Sequence, residues 1–134
     1  MASYILDTDT CSYIMKRSHP KLLEKIQAIP LTDQAISVVT MAELLYGTKL
    51  SSKPQFAMRA YTDFIKHLSV LDWTQEAAEH YADIRAALRK RGEMIGANDL
   101  LIAAHARSIN ATLVTNNVRE FGRVDNLQVE NWTE

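Results

Sequence analysis

Short apolar runs punctuate longer segments whose apolar positions recur every three or four residues. Tyr4-Ile5-Leu6, Ala35 to Val39, Leu68 to Leu71 and Ala111 to Val114 lack polar alternation, the pattern of strands covered on both faces. Leu127 to Val129 offers a fifth strand. Residues 9–17 predict a helix capped by Asp9 or Thr10, with Lys16-Arg17 where the negative helix end favours cations. Pro20 opens a second helix whose Leu22, Leu23, Ile26 and Ile29 form one stripe ending before Pro30. Thr40 and Glu43 have capping-box spacing ahead of a helix carrying Leu44, Leu45 and Leu50. Pro54 opens another, with Phe56, Ala60, Phe64 and Ile65. Residues 74–91 give the clearest helix, with Ala77, Tyr81, Ile84 and Leu88 on one face and Gly92 as its stop. Asn98 caps a last helix through Ile109, apolar on most sides. Strands alternating with helices predict an α/β three-layer α/β/α sandwich around a mostly parallel sheet, built as one domain over residues 1–134.

Composition narrows the function classes. The chain of 134 residues is 47% apolar and 23% charged, ordinary for a globular protein. A formal net charge of −1 excludes a bulk positive field, so a nucleic-acid partner would need locally concentrated cations. Lys16, Arg17, Arg85, Arg89, Lys90 and Arg91 are the candidates to grip RNA phosphates, with solvated helix faces as the bland alternative. The lone Cys11 excludes an internal disulfide and reads as a small buried hydrophobe. No basic-then-apolar leader and no membrane-length apolar stretch is present, so a cytoplasmic protein without membrane contact is expected. His19, His67, His80 and His105 lack metal-ligand spacing and read as structural, and Tyr13, Tyr46 and Trp73 read as packing rather than base-stacking groups.

The candidate chemistry lies at the seams between elements. Asp7, Glu43, Asp99 and Asn117 each stand beside a strand-to-helix seam or just after a strand. Singly, each has a plain explanation: a turn, a capping box, a favourable first-turn anion, a loop residue. Jointly, a parallel sheet would gather them at the edge where the strands' carboxyl ends meet helix starts. Carboxylates within ~5 Å of one another repel by a few kcal/mol per pair at an effective dielectric near 20. A hard divalent cation, Mg²⁺ or Mn²⁺, would relieve that repulsion and reach substrate phosphates.

Four segments in this order resemble the PIN-domain ribonucleases, and within them the VapC-type toxins of bacterial toxin–antitoxin pairs. They are Ile5-Leu6-Asp7-Thr8-Asp9, Ser37 to Gly47, Ile95 to Ala106, and Leu113 to Phe121, and Leu127 to Trp132 is similar as well. The resemblance implies a Mg²⁺- or Mn²⁺-dependent endoribonuclease whose metal-binding acids are Asp7, Glu43 and Asp99. The family's fourth acid falls on the neutral Asn117, and Glu120, three residues on, could supply the missing charge. Asp9 stands where many relatives carry Asn, and is read as a cap that could add charge to the pocket. Thr115 would orient a ligand or its water through its hydroxyl. The resemblance further implies a homodimer, silencing by a VapB-type antitoxin through which alone operator DNA is bound, and initiator tRNA, cut in the anticodon loop, as substrate. Two alternatives stand beside it. One is a catalytically inactive PIN-like binding module in a repressor complex, which Asn117 keeps open. The other is a haloacid-dehalogenase-type phosphatase, which Asp7-Thr8-Asp9 is similar to in its opening but whose late acidic pair would fall on Asp99 alone and Asn116-Asn117.

Overall fold

The structure, a computed structural model, describes residues 2–134. Five short strands form one sheet: β1 (Tyr4–Leu6), β2 (Gln34–Ser37), β3 (Ser69–Leu71), β4 (Thr112–Val114) and β5 (Val129–Glu130). Their spatial order is β3-β2-β1-β4-β5, and every pairing is parallel. The expectation of a mostly parallel sheet is thus sharpened to an entirely parallel one. Each strand returns through a helical crossover, the connection that parallel pairing demands. β1 is central, with Tyr4 opposite both Gln34 and Thr112, so the first strand's carboxyl end lies in the middle of the edge.

The crossovers are α1 (Thr8–Lys16), α2 (Pro20–Ala28), α3 (Val38–Leu50), α4 (Pro54–Ile65), α5 (Gln75–Arg91), α6 (Ala97–Ser108) and a short α7 (Val118–Phe121). Successive strand residues face opposite sides, and the two cores separate accordingly. Ile5 and Leu113 join Ile84 and Leu88 of α5 and Leu100, Ile102 and Ala103 of α6 on one face. Leu6, Ile36 and Val114 join Cys11, Leu22, Leu44 and Tyr61 on the other. The inner strands β1, β2 and β4 are covered on both faces, the α/β/α arrangement the pattern predicts, while the edge strands β3 and β5 reach solvent at Ser69 and Glu130.

Helix starts depart from expectation, and the departures matter for the site. α1 begins at Thr8, capped by Asp7 rather than by Asp9 or Thr10, because the Asp7 carboxylate accepts the Thr10 backbone N–H at 2.9 Å. β2 stops at Ser37, whose hydroxyl accepts from the Val39 N–H at 3.1 Å and caps α3. Thr40 and Glu43 therefore sit inside α3, and no capping box forms between them. α6 starts at Ala97 after Gly96, with no side-chain cap, so Asn98 is free for another partner. α7 and the 3₁₀ turn at Leu31–Asp33 are too short for periodicity to register. Gly122 lets α7 end tightly: a Cβ there would lie 2.6 Å from the Val118 carbonyl oxygen.

One buried polar contact links the helices that flank the site. His105 of α6, 1% exposed, meets the Ser37 hydroxyl at 2.7 Å, joining α6 to the cap of α3. Burial holds the imidazole below its ordinary pKa, against the pull of the nearby Asp72 carboxylate, so the neutral ring is the native form. His105→Leu leaves the Ser37 hydroxyl short of a partner and is expected to cost about 1–3 kcal/mol in urea unfolding at pH 7.

Candidate active site

Asp7 follows β1 directly and is 3% exposed. Its backbone N–H donates to the Val114 carbonyl at 3.0 Å, and the Thr10 hydroxyl donates to the same oxygen at 3.1 Å. The end of β4 is thereby tied to the start of α1. Thr115, buried, hydrogen-bonds the Asp7 carboxylate and accepts the Asn117 backbone N–H at 3.0 Å. Burial pushes the Asp7 carboxyl above its ordinary value of 3.8, with the Thr115 and Thr10 hydrogen bonds restraining the rise and the exposed Asp9 adding to it.

Glu43 projects from α3 as a bridge. Its Oε1 accepts from the Thr8 hydroxyl at 2.5 Å and its Oε2 from the Asn98 side-chain amide at 3.0 Å. Thr8 also approaches the buried Thr40 hydroxyl at 3.3 Å. Residues of α1, α3 and α6 thus fix one carboxylate.

Asp99 occupies the first turn of α6, and Glu120 faces it from α7. The Glu120 carboxylate accepts the Gly96 backbone N–H at 2.9 Å and the Asn117 amide at 2.6 Å. Burial acts against its charge, but those two donors, the Asp99 carboxyl and the Arg123 guanidinium together hold it below its ordinary range. Asp99 is pushed the other way, from 3.8 up to about 7, by burial first, then by its contact with Glu120, then by the charges of Asp7 and Glu43. Below about pH 7 it therefore retains a proton in contact with Glu120.

The four acids therefore converge within electrostatic reach, yet in two halves. Glu43 is turned toward Thr8 and Asn98, while Asp99 is paired with Glu120. Among the described residues no three carboxylates, imidazoles or thiols already stand as a ligand set for a metal ion, so the single cluster expected from sequence is divided. The donors nonetheless fit Mg²⁺ or Mn²⁺ in kind and charge. All are oxygens, as hard cations require, and a carboxyl held protonated near pH 7 marks surplus negative charge at that spot.

The remaining candidates divide similarly. Asn117 lies beside the acids as a donor to Glu120, and Asp9 is exposed, adding field at Asp7 without capping α1. Lys16 and Arg17 close the far end of α1, about 14 Å along its axis from Asp7. The Arg85 guanidinium rests over the Tyr81 ring and bonds its hydroxyl at 2.8 Å. Arg91 is committed to Glu93 and Asp125, both at 2.9 Å. Arg89 and Lys90 are exposed at the end of α5. Trp73 donates to the Leu101 carbonyl and packs edge-on against Tyr81. Sequence reading missed Thr8 and the backbone of Gly96 as holders of the acids, and Arg119 and Arg123 as lining of the cleft beside Glu120. Only the tertiary fold brings these to the acids; the one local signal was the Arg-Glu-x-x-Arg run at 119–123.

A parallel-sheet edge collecting carboxylates over a helix start defines a nuclease-like acidic site. The PIN domain family profile matches residues 4–127, and the chain belongs to the PIN-domain family. Among its relatives, Ribonuclease VapC2 of Haemophilus influenzae is 41% identical over 132 residues, covering 98% of this chain and 99% of that protein. The tRNA(fMet)-specific endonuclease VapC of Salmonella typhimurium is 36% identical over 132 residues, with 98% and 99% covered. The crystal structure of VapBC2 from Rickettsia felis bound to a DNA fragment from its promoter superimposes with a TM-score of 0.90 at 37% identity, covering 96% of this chain and 98% of that one.

The Asp99 proton yields a test of site and stability together. From pH 4 to pH 7 native Asp99 holds a proton that the unfolded chain has released, so raising the pH through that window weakens the fold. Asp99→Asn keeps a donor toward Glu120 and removes the titration. In metal-free buffer at pH 8 the variant is expected to exceed the parent in stability by about 1–2 kcal/mol, after allowance for solvent screening of this half-exposed group. At pH 4 thermal melts of the two should nearly coincide.

Proposed function

We propose that this protein is the VapC-type toxin of a toxin–antitoxin pair, an endoribonuclease that hydrolyses RNA phosphodiester bonds with the help of Mg²⁺ or Mn²⁺. The observation that carries the reading is the crowding of Asp7, Glu43, Asp99 and Glu120 at one sheet edge, with Asp99 pushed up to about 7. Asp7 and Asp99 would hold the ion, with Glu43 and Glu120 at its flanks. When bound, such an ion supplies Lewis acidity toward the scissile phosphate and lowers the pKa of water.

The chain's own residues do the positioning. The Thr10 N–H and the Thr115 hydroxyl hold the Asp7 carboxylate in one orientation at the end of β1. Thr8 and Asn98 place Glu43 opposite, through one hydrogen bond to each carboxylate oxygen. Gly96 and Asn117 do the same for Glu120. Asn117, on which the resemblance places the family's fourth acid, contributes a donor here, and Glu120 contributes the charge. A catalytically inactive module and a haloacid-dehalogenase-type phosphatase are disfavoured, because relatives that match over nearly the whole chain are named as ribonucleases.

The name of one relative supports a tRNA(fMet) substrate and the VapBC structures support an antitoxin partner, while the anticodon loop rests on the family resemblance. We take initiator tRNA as the RNA, cut in its anticodon loop in the cytoplasm, so that translation stops. A VapB-type antitoxin would silence the enzyme and alone provide contact with operator DNA. An apolar groove of about 530 Å³, whose lining includes none of the site acids, is formed by Leu6, Ile14, Met15, Ile26, Phe64 and Leu68 among others. Gln34 forms part of its wall, and its buried Oε1 has no hydrogen-bond partner among the described residues. Those features support docking of an apolar antitoxin segment that brings a donor. Tyr46, Leu50 and Phe56, each exposed by about two-thirds, support a homodimer through α3 and α4.

The test is sequencing of cellular RNA 5′ ends after brief induction. A sharp new end in the anticodon loop of initiator tRNA is expected, reproduced with purified protein only when Mg²⁺ or Mn²⁺ is added. Asp7→Asn should lower that cleavage by a factor of about 10³ or more. Equal cutting by parent and variant, or cutting in the presence of EDTA, would refute the assignment.

A further inference from the structure

An acidic edge repels the polyanion it is meant to cut, and the chain's net charge of −1 supplies no general attraction. Local cations must compensate. The clefts beside Glu120 contain three. One, of about 370 Å³, is bounded by Met94, Ile95, Gly96, Asn117, Arg119, Glu120 and Arg123. The next, of about 520 Å³, shares Arg119 and Arg123 and adds Arg91 and Asp125.

Two of these cations are already engaged. Arg91 bonds Glu93, Asp125 and the Arg123 carbonyl. Arg123 donates to the Met94 carbonyl at 3.1 Å, and its charge bears on Glu120. Arg119 differs: it is exposed, lines both clefts, and has no ion-pair partner among the described residues. Its helix explains the placement. α7 is closed by Gly122 and anchored through buried Phe121, with Glu120 turned inward onto the Gly96 N–H. Neighbouring side chains on a helix diverge by about 100°, so Arg119 emerges beside Glu120 while facing open solvent.

We propose that Arg119 binds a phosphodiester group of the RNA next to the one cleaved, a substrate-positioning contact that rests on the ribonuclease reading above. Its planar fork of donors matches two phosphate oxygens at once, and its charge offsets the repulsion from Asp99 and Glu120 as the backbone crosses α7. Arg91 and Arg123 keep the wall of the cleft in shape and are not the phosphate ligands.

The test uses a fluorescein-labelled anticodon stem-loop of initiator tRNA. Binding is followed by anisotropy between about 50 and 200 mM salt in the cleavage-deficient Asp7→Asn background. Cleavage kinetics are measured in the parent background with Mg²⁺. Arg119→Gln is expected to weaken binding roughly tenfold, as loss of one charge-assisted contact does. The log–log salt slope should fall by about 0.7, the value for one phosphate of a single strand. KM should rise with kcat retained, and Arg119→Lys should keep the salt slope while recovering only part of the affinity, since it lacks the fork. An Arg119→Gln protein that matches the parent in salt slope and KM would overturn the proposal. A parent that neither binds nor cuts this RNA would instead refute the substrate reading, a result visible before any Arg119 variant is compared.

Discussion

Much of this structure depends on a carboxylate held out of water at the end of the central strand. Asp7 is buried where β1 turns into α1, and an ionised group in that position needs donors close at hand. The first turn of α1 supplies the Thr10 N–H, and the residue after β4 supplies the Thr115 hydroxyl. The contacts that make the charge tolerable also set the angle between β1 and α1 and lock β4 beside them through Val114. Parallel pairing then does the rest. With every strand pointing the same way, the starts of α1 and α3 and the residues after β4 arrive at one edge.

Crowding acids at that edge costs stability, and the fold limits the cost by giving each one neutral donors. Glu43 has a hydroxyl and an amide; Glu120 has a backbone N–H and an amide. Asp99 receives the smallest share of this help. It sits between Glu120, Asp7 and Glu43 and responds by holding its proton up to about pH 7. Asp99 is thus the point at which the fold is least satisfied and at which a divalent cation would relieve most. Strain of this kind at a site is the usual exchange of stability for function.

The alternation of apolar runs and helical stripes made the layers legible, because strands buried on both faces and helices buried on one leave different periods. Asp7, Glu43 and Asp99 were legible as candidates through their seams and motif order. Their local roles were not. Thr40 with Glu43 matched a capping box, yet Ser37 took the cap because β2 ends there, which released Glu43 to reach Thr8 and Asn98. Asp9 matched a cap, yet Asp7 stood nearer the first free N–H. A short motif names residues able to cap; which of them does so depends on where the preceding strand stops, and tertiary pairing decides that.

Asn117 illustrates the same limit in charge rather than geometry. Read along the chain, an amide in place of an acid removes a ligand from the site. In the folded protein its amide lies 2.6 Å from Glu120, which α7 returns to the same edge three residues later. Asn117 is there a donor that steadies a carboxylate, and the charge itself sits on Glu120, less than one helical turn away. The pairing of Asn117 with Glu120 depends on α7 holding its place. Phe121, buried in the core, and Gly122, whose missing side chain lets the turn close on the Val118 carbonyl, hold it there. The same four-residue helix therefore fixes the acid that faces the site and the arginine beside it that faces solvent, and neither could be repositioned without moving the other.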